Sequence, residues 1–296
     1  MDHRSLVYFT TLIEEGSFTQ AAKALFISQP SLSSAIKKFE DTVGLKLIDR
    51  STRNISLTKE GEIMYEEAKK LLSHFNYFQK EAIRLKEDGP LELHIGLIES
   101  VRFWLPKLLA SYSTIHPDIH IKLLEVLGFA QVEAALKNYQ IHLAITNQLF
   151  ESEEIEMSPI YTERLVALLP QGHPLQHTEH LSISDLKGEE FIICKEGFQT
   201  RNDILNEFRK SGIKPTIHFE IERFETACAL VEEGLGITIV PENYLRKPDH
   251  PSLTVKKLTN SNLSRTVYIA YMKNRYLPPV IEEFIETTKE FFKDIS

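Results

Sequence analysis

Residues 17–40, SFTQAAKALFISQPSLSSAIKKFE, hold two helical patterns separated by a very short turn. The first is small and apolar, around Ala21, Ala22 and Leu25, and Ser17-x-x-Gln20 predicts a capping box at its start. Ser28 predicts the N-cap of the second helix, with Pro30 tolerated in the first turn, where N–H groups have no partner above. Leu32, Ile36 and Phe39 step by 4 and 3, so one face of this helix is core. The opposite face shows Gln29, Ser31, Ser33, Ser34 and Lys37. Short polar side chains let a helix sink into a major groove and touch base edges and phosphates, whereas bulky charged ones would hold it off. Alanines on the first helix let the two axes approach closely. The first helix then reads as a platform and the second as a reader of DNA; the alternative on this stretch alone is an ordinary capped helical hairpin in a small domain.

The residues that follow extend this reading. Gly44–Arg50 and then Ser51–Thr58 predict two short strands with a basic loop, a wing whose Arg50 and Arg53 reach phosphates or the adjacent minor groove. The charge distribution agrees. Residues 21–59 carry seven basic and three acidic side chains, although the whole chain has a net charge of −8. A modest positive island on an acidic protein suits one local polyanion contact rather than general polyanion binding.

The run EEGSFTQAAKALFISQPSLSSAIKKFEDTVGLKLIDRSTRNISLTKEG resembles the winged helix-turn-helix of LysR-type transcriptional regulators. The resemblance rests on Phe18, Ala21, Ala22, Leu25, Ser28-Gln29-Pro30, Leu32-Ser33, Ile36, Leu45, Leu47, Arg50, Leu57-Thr58 and Gly61. Ile48 stands where the family usually has Phe, Glu60 where it has Ala, and Ser31 where Ala is frequent. The similarity continues through LPQGHPL (169–175) and ALVEEGLGITIVP (229–241). It implies a long dimerising linker helix and an effector domain of the periplasmic-binding-protein type. It further implies a homotetramer and RNA polymerase as a further partner. DNA-contacting positions are then Ser28, Gln29, Pro30, Ser31, Ser33, Ser34, Lys37, Lys38, Arg50 and Arg53. Among them Lys37, Lys38, Arg50 and Arg53 set register on phosphates.

Thr58 predicts the N-cap of a helix ending before Asp88-Gly89-Pro90. Within it Met64, Ala68, Leu71, Phe75, Phe78, Ala82 and Leu85 step by 4, 3, 4, 3, 4 and 3, a seam suited to pairing with a second copy, the alternative being one amphipathic helix packed on its own domain. From residue 91 strand and helix alternate. Strands are predicted at 91–96, 120–126, 142–146, 165–169, 191–194, 216–221, 237–240 and 267–272, and helices near 101–115, 129–138, 200–211 and 225–234. That alternation predicts parallel sheets in doubly wound units. The expected fold is an α/β effector domain of two Rossmann-like subdomains behind an N-terminal winged helix-turn-helix and a linker helix. The expected boundaries are 1–58, 59–88 and 91–296, with subdomain I at 91–161 and 266–296 and subdomain II at 162–265.

The effector cleft is expected between the subdomains, at the C-terminal ends of strands. Ser100, Val101, Arg102, Gly128, Thr146, Asn147, Phe198, Gln199, Thr200, Arg201, Phe224 and Glu225 fall there, carried over from family positions. Ser100 and Thr200 as helix N-caps, with Arg102 and Arg201, suit a small organic anion. The alternative is that the hydroxyls are plain caps and the arginines are paired with Glu99 or Glu225.

Other chemistry is weakly supported. His173, His177 and His180 are spaced by 4 and 3, but Pro174 breaks the helix that would align them on a metal. Cys194 and Cys228 lie in apolar runs and read as buried thiols, although some members of the family sense oxidants through a cysteine pair. Gly234 and Gly236 lack the third glycine of a dinucleotide fingerprint. No nucleophile–base–orienter set suggests an enzyme, and no cofactor is implied. Two cysteines and the absence of an 18-residue apolar run point to a cytoplasmic protein with no membrane contact. A solute-binding protein would share the C-terminal fold but not the first 88 residues.

Overall fold

A computed structural model describes residues 1–49, 55–87, 91–245, 252–259 and 263–293. Its contacts divide into two compact units, Met1–Gly89 with Lys137–Tyr139, and Pro90–Leu136 with Gln140–Ser296.

In the first unit, α1 (His3–Glu15) begins at Asp2, whose carboxylate accepts the Ser5 N–H at 2.9 Å, and stops at Gly16, in the left-handed conformation at φ 64°. α2 (Phe18–Ala24) follows. Ser17 occupies its N-cap, but the side chain makes no capping hydrogen bond, so the expected capping box is not formed. Phe26 closes the turn at φ 54°. α3 (Gln29–Val43) is capped by Ser28, whose Oγ accepts the Ser31 N–H at 3.3 Å, and ends at Gly44. The wing is a minimal antiparallel pair, β1 (Ile48–Asp49) and β2 (Ser56–Leu57), with Ile48 opposite Leu57.

α4 (Lys59–Glu87) starts at Thr58, which accepts the Gly61 N–H at 2.9 Å and donates to the Lys46 carbonyl at 2.6 Å. The same hydroxyl thus caps the helix and ties down the wing. Ala68 is buried with Leu6, Phe9, Leu12, Ala21, Leu32, Ile36 and Phe39, and Met64, Tyr65 and Leu72 pack on that core. The expected seam is thereby corrected at its start. Met64 and Ala68 serve their own unit's core, while Leu71, Phe75, Phe78 and Leu85 remain exposed.

The second unit is built on one mixed sheet. Its strands are β3 (Glu92–Leu97), β4 (His120–Glu125), β5 (Leu143–Thr146), β6 (Ile155–Pro170), β7 (Glu190–Cys194), β8 (Thr216–Ile221), β9 (Ile237–Pro241), β10 (Leu253–Lys257) and β11 (Ser264–Met272). They run in the order β4-β3-β5-β11-β6-β9-β7-β8, with β10 also paired to β6. Two parallel triplets, β4-β3-β5 and β8-β7-β9, match the expected βα alternation. The expectation of purely parallel sheets is corrected, because β6 and β11 run antiparallel to their neighbours between the triplets. β6 pairs with β11 through residue 164 and with β9 from Leu165 onward. One strand therefore serves both halves. Only its last part was expected as strand, and β10 was not expected at all.

Helices cover both triplets: α5 (Leu105–Ile115), α6 (Phe129–Lys137), α7 (Gln199–Lys210), α8 (Phe224–Glu232) and α9 (Pro279–Lys293). α5 is preceded by a short 3-10 helix (Glu99–Phe103), and another (Glu242–Leu245) follows β9. Among the described residues no helix is long and apolar enough to cross a membrane.

Candidate DNA-reading surface and effector cleft

The candidate reading surface is the outer face of α3. Leu32, Ile36 and Phe39 hold the helix on α1 and α2, with Ala21 and Ala22 fully covered. This leaves Ser28, Gln29, Pro30, Ser31, Ser34, Lys37 and Lys38 exposed and Ser33 half-buried. Oγ of Ser28 and Oγ of Ser31 lie 2.7 Å apart, so the first turn presents a paired hydroxyl beside Gln29. The surface is polar, carries its charge only at its C-terminal end, and no described side chain larger than lysine rises from it. Arg50 and Arg53 lie outside the described residues.

Glu40 is a residue that helical periodicity alone does not single out. It is buried, and its Oε1 accepts the N–H groups of Leu47 (2.9 Å) and Ile48 (3.2 Å). A carboxylate on the inner face of α3 thus fixes the angle between reader helix and wing. Gly61 supports the same junction, since a Cβ there would lie 2.0 Å from the Leu47 carbonyl oxygen.

In the second unit, a cleft opens where the two halves of the sheet meet. Ile98, Glu99, Leu127, Asn147, Phe198, Thr200, Glu222, Phe224 and Arg265 line it, enclosing about 280 Å³ of empty space including the mouth. The enclosed cavity itself is only about 20 Å³, far below the roughly 300–1,000 Å³ of small-molecule sites, so the cleft is closed in this structure. Four of the residues expected from sequence line it: Asn147, Phe198, Thr200 and Phe224.

The chemical centre of the cleft is Arg265, which the sequence reading did not single out. Its Nε donates to Glu163 Oε1 at 2.7 Å, Nη2 to Ser100 Oγ at 2.9 Å and Nη1 to Thr200 Oγ1 at 3.1 Å. The two side chains of the pair are 4% and 1% exposed. Ser100 donates in turn to Glu163 Oε1 (3.1 Å), Asn243 Nδ2 donates to Glu163 Oε2 (3.0 Å), and Asn147 Nδ2 donates to Thr200 (3.1 Å). The Phe224 ring lies 5.7 Å from the guanidinium. Among the described lining residues Arg265 is the one cation.

Several expected roles change. Ser100 and Thr200 are not N-caps; the cap positions belong to Ile98 and Phe198, and both hydroxyls instead serve Arg265. Arg201 points away, donating to the Cys194 carbonyl (2.7 Å) and pairing with Glu220 (2.8 Å) rather than Glu225. The helix ends facing the cleft are closed by the protein itself. Glu99 accepts the Phe224 N–H at 2.9 Å, and Gln148 Oε1 accepts the Gln199 N–H at 3.3 Å. Burial pushes the Glu99 carboxyl above its ordinary range.

The remaining expected residues sit around this centre. Val101 is core, Arg102 is exposed with its guanidinium 4.9 Å from the Phe103 ring, and Glu225 is exposed. The Gly128 N–H donates to Gln131 (3.2 Å), Thr146 accepts the Gln148 N–H (3.1 Å), and the Gln199 side chain donates to Asp203 (2.9 Å). Cys194 and Cys228 are both buried, and burial pushes each thiol up to about 12, which opposes thiolate chemistry. His173 is engaged by Glu189 and by the Leu175 N–H. Among the described residues no group of three His, Cys, Asp or Glu side chains is placed to hold a metal ion.

Comparison with known proteins gives the same division. Residues 3–62 match the bacterial regulatory helix-turn-helix protein, lysR family, and residues 88–293 match the LysR substrate binding domain. The chain is 30% identical to the uncharacterized HTH-type transcriptional regulator YybE of Bacillus subtilis, over 99% of this chain and 100% of the relative. It is 30% identical to the HTH-type transcriptional regulator BenM of Acinetobacter baylyi, over 91% and 93% respectively. Full-length CbnR complexed with its target DNA superposes with a TM-score of 0.72 at 23% identity, over 98% of this chain and 99% of that one.

Proposed function

We propose, for a chain that belongs to the LysR family of DNA-binding transcriptional regulators, that α3 reads a two-fold-related promoter site and that a small organic anion received at Arg265 tunes this binding. The protein is a regulator and not an enzyme. Gln29, Ser31, Ser33 and Ser34 read base edges beside the paired hydroxyls of Ser28 and Ser31. Lys37, Lys38, Arg50 and Arg53 fix register on phosphates, and Pro30 sets the first turn. Two copies join through the exposed apolar side chains of α4, among them Phe78, which is 64% exposed. Large apolar side chains left exposed along one face of a helix, here Leu71, Phe75, Phe78 and Leu85, suit a partner surface. Two such dimers form a tetramer in the cytoplasm and meet RNA polymerase at the promoter.

The anion reading rests on one observation, a buried guanidinium flanked by Ser100, Thr200 and Asn147 at the meeting line of two sheet halves. Arginine presents a planar fork suited to carboxylates. The closed cleft has to open to admit a guest, and an anion that favours one arrangement of the halves shifts the population of DNA-binding forms. Fluorescence anisotropy with the DNA upstream of the protein's own reading frame tests the proposal. Preference over random DNA by roughly a thousandfold or more is expected. Equal affinity for both would refute it.

A further inference from the structure

We infer that Glu163 is the effector's built-in competitor: it and an incoming carboxylate use the same guanidinium, so Glu163 sets both the affinity of the cleft for anions and the movement that binding causes. The inference rests on the anionic-effector reading above.

The placement of the pair carries the argument. β6 leaves one half of the sheet and enters the other between Arg164 and Leu165. Register sets Arg265 of β11 directly opposite Glu163 of β6 at that crossing. The pair therefore sits on the strands about which the halves would move. Glu163 is held by three donors, Arg265, Ser100 and Asn243. Ser100 belongs to the 3-10 helix before α5, and Asn243 to the one after β9.

Charge then dictates what a guest has to do. As it stands the pair is neutral and dry. A second carboxylate on Arg265 would leave one buried negative charge without a partner, which is strongly unfavourable in a water-excluded site. Binding therefore proceeds as Glu163 gives up Arg265 and, as the cleft opens, passes its charge to water or takes up a proton. Its departure breaks the bonds to Ser100 and Asn243, and these reach elements on both sides of the crossing. A neutral molecule of the same shape gains nothing from the exchange, so the device also selects for charge.

The test uses the full-length protein, with benzoate and succinate as probes and benzamide and succinamide as uncharged counterparts, measured by titration calorimetry. Glu163→Gln keeps the shape and removes the competing charge. It should bind the carboxylates roughly tenfold or more tightly, with the amides unchanged. Asn243→Ala keeps the charge but loosens its hold, and should shift affinity several-fold in the same direction; it decides the matter if Glu163→Gln folds poorly. Arg265→Gln should abolish carboxylate binding. If carboxylates bind the wild type and need Arg265, yet neither Glu163→Gln nor Asn243→Ala tightens them, competition is refuted while the anion reading stands. If they bind none of the proteins, or bind regardless of Arg265, the anion reading falls and the competition with it.

Discussion

Replacing Arg265 with Met isolates the energetic role of the buried pair. The substitution removes the guanidinium but leaves Glu163 with its side chain 1% exposed, facing only Ser100 and Asn243. Breaking one side of a buried ion pair costs about 3–5 kcal/mol, because the remaining charge is left without compensation. For a unit of this size that corresponds to a melting shift of roughly 6–20 °C, at about 2–4 °C per kcal/mol. The double variant Arg265→Met, Glu163→Met removes both charges and keeps apolar volume, so it should recover most of the loss. Calorimetric melting of the full chain, following the transition of the second unit, measures both. A single variant as stable as the wild type, or a double variant as damaged as the single, would refute the claim that Arg265 and Glu163 compensate each other.

Three further outcomes follow from other parts of the structure. Phe78→Asp places a charge on the exposed stripe of α4 and should lower the mass seen by light scattering through loss of the α4-joined dimer; an unchanged oligomer would remove α4 as the contact. Gly61→Ala sets a Cβ 2.0 Å from the Leu47 carbonyl oxygen, so the wing has to shift, at a cost of about 1–3 kcal/mol to the first unit; a melt without loss would contradict that packing. His142 accepts the His94 N–H at 2.9 Å, and burial depresses its pKa to about 3 from the ordinary 6.5. The unfolded chain then binds the extra proton first, so this residue's contribution falls as pH drops from about 6.5 toward about 3, by up to about 1.4 kcal/mol per pH unit. His142→Asn should flatten that limb of the stability–pH curve, and an unaltered limb would show that another group controls it.

Much of the first unit was legible because its signals are local. Ser28, Pro30 and the 4-3 spacing of Leu32, Ile36 and Phe39 all act within one helix, and the structure places them accordingly. Glu40 was not legible. A carboxylate beside Phe39 reads as solvated until the wing's N–H groups arrive from seven and eight residues away. The cleft shows the same divide more sharply. Asn147, Phe198, Thr200 and Phe224 follow strand ends, a rule visible in the chain order. Arg265 and Glu163 are 102 residues apart and meet only through the antiparallel register of β6 and β11. The first part of β6, from Ile155, alternates Ile155 and Met157 with Glu156 and Ser158, but Pro159 breaks the run after four residues and demotes the strand reading. Arg201 misled for the reverse reason. It sits in the first turn of a helix that does face the cleft, but Glu220 of the neighbouring strand and the Cys194 carbonyl draw its guanidinium aside.

The central claim, that α3 reads DNA with short hydroxyls and positions itself with lysines, is tested most directly by anisotropy titrations of Lys37→Ala and Ser33→Ala over a range of salt concentrations. Lys37→Ala should weaken specific and random DNA alike and lower the salt slope by about one unit, as one phosphate contact is lost. Ser33→Ala should leave the slope unchanged and cost about 1–3 kcal/mol at one base step only. If both variants lower affinity equally on specific and random DNA, or neither changes it, α3 is not the reading helix.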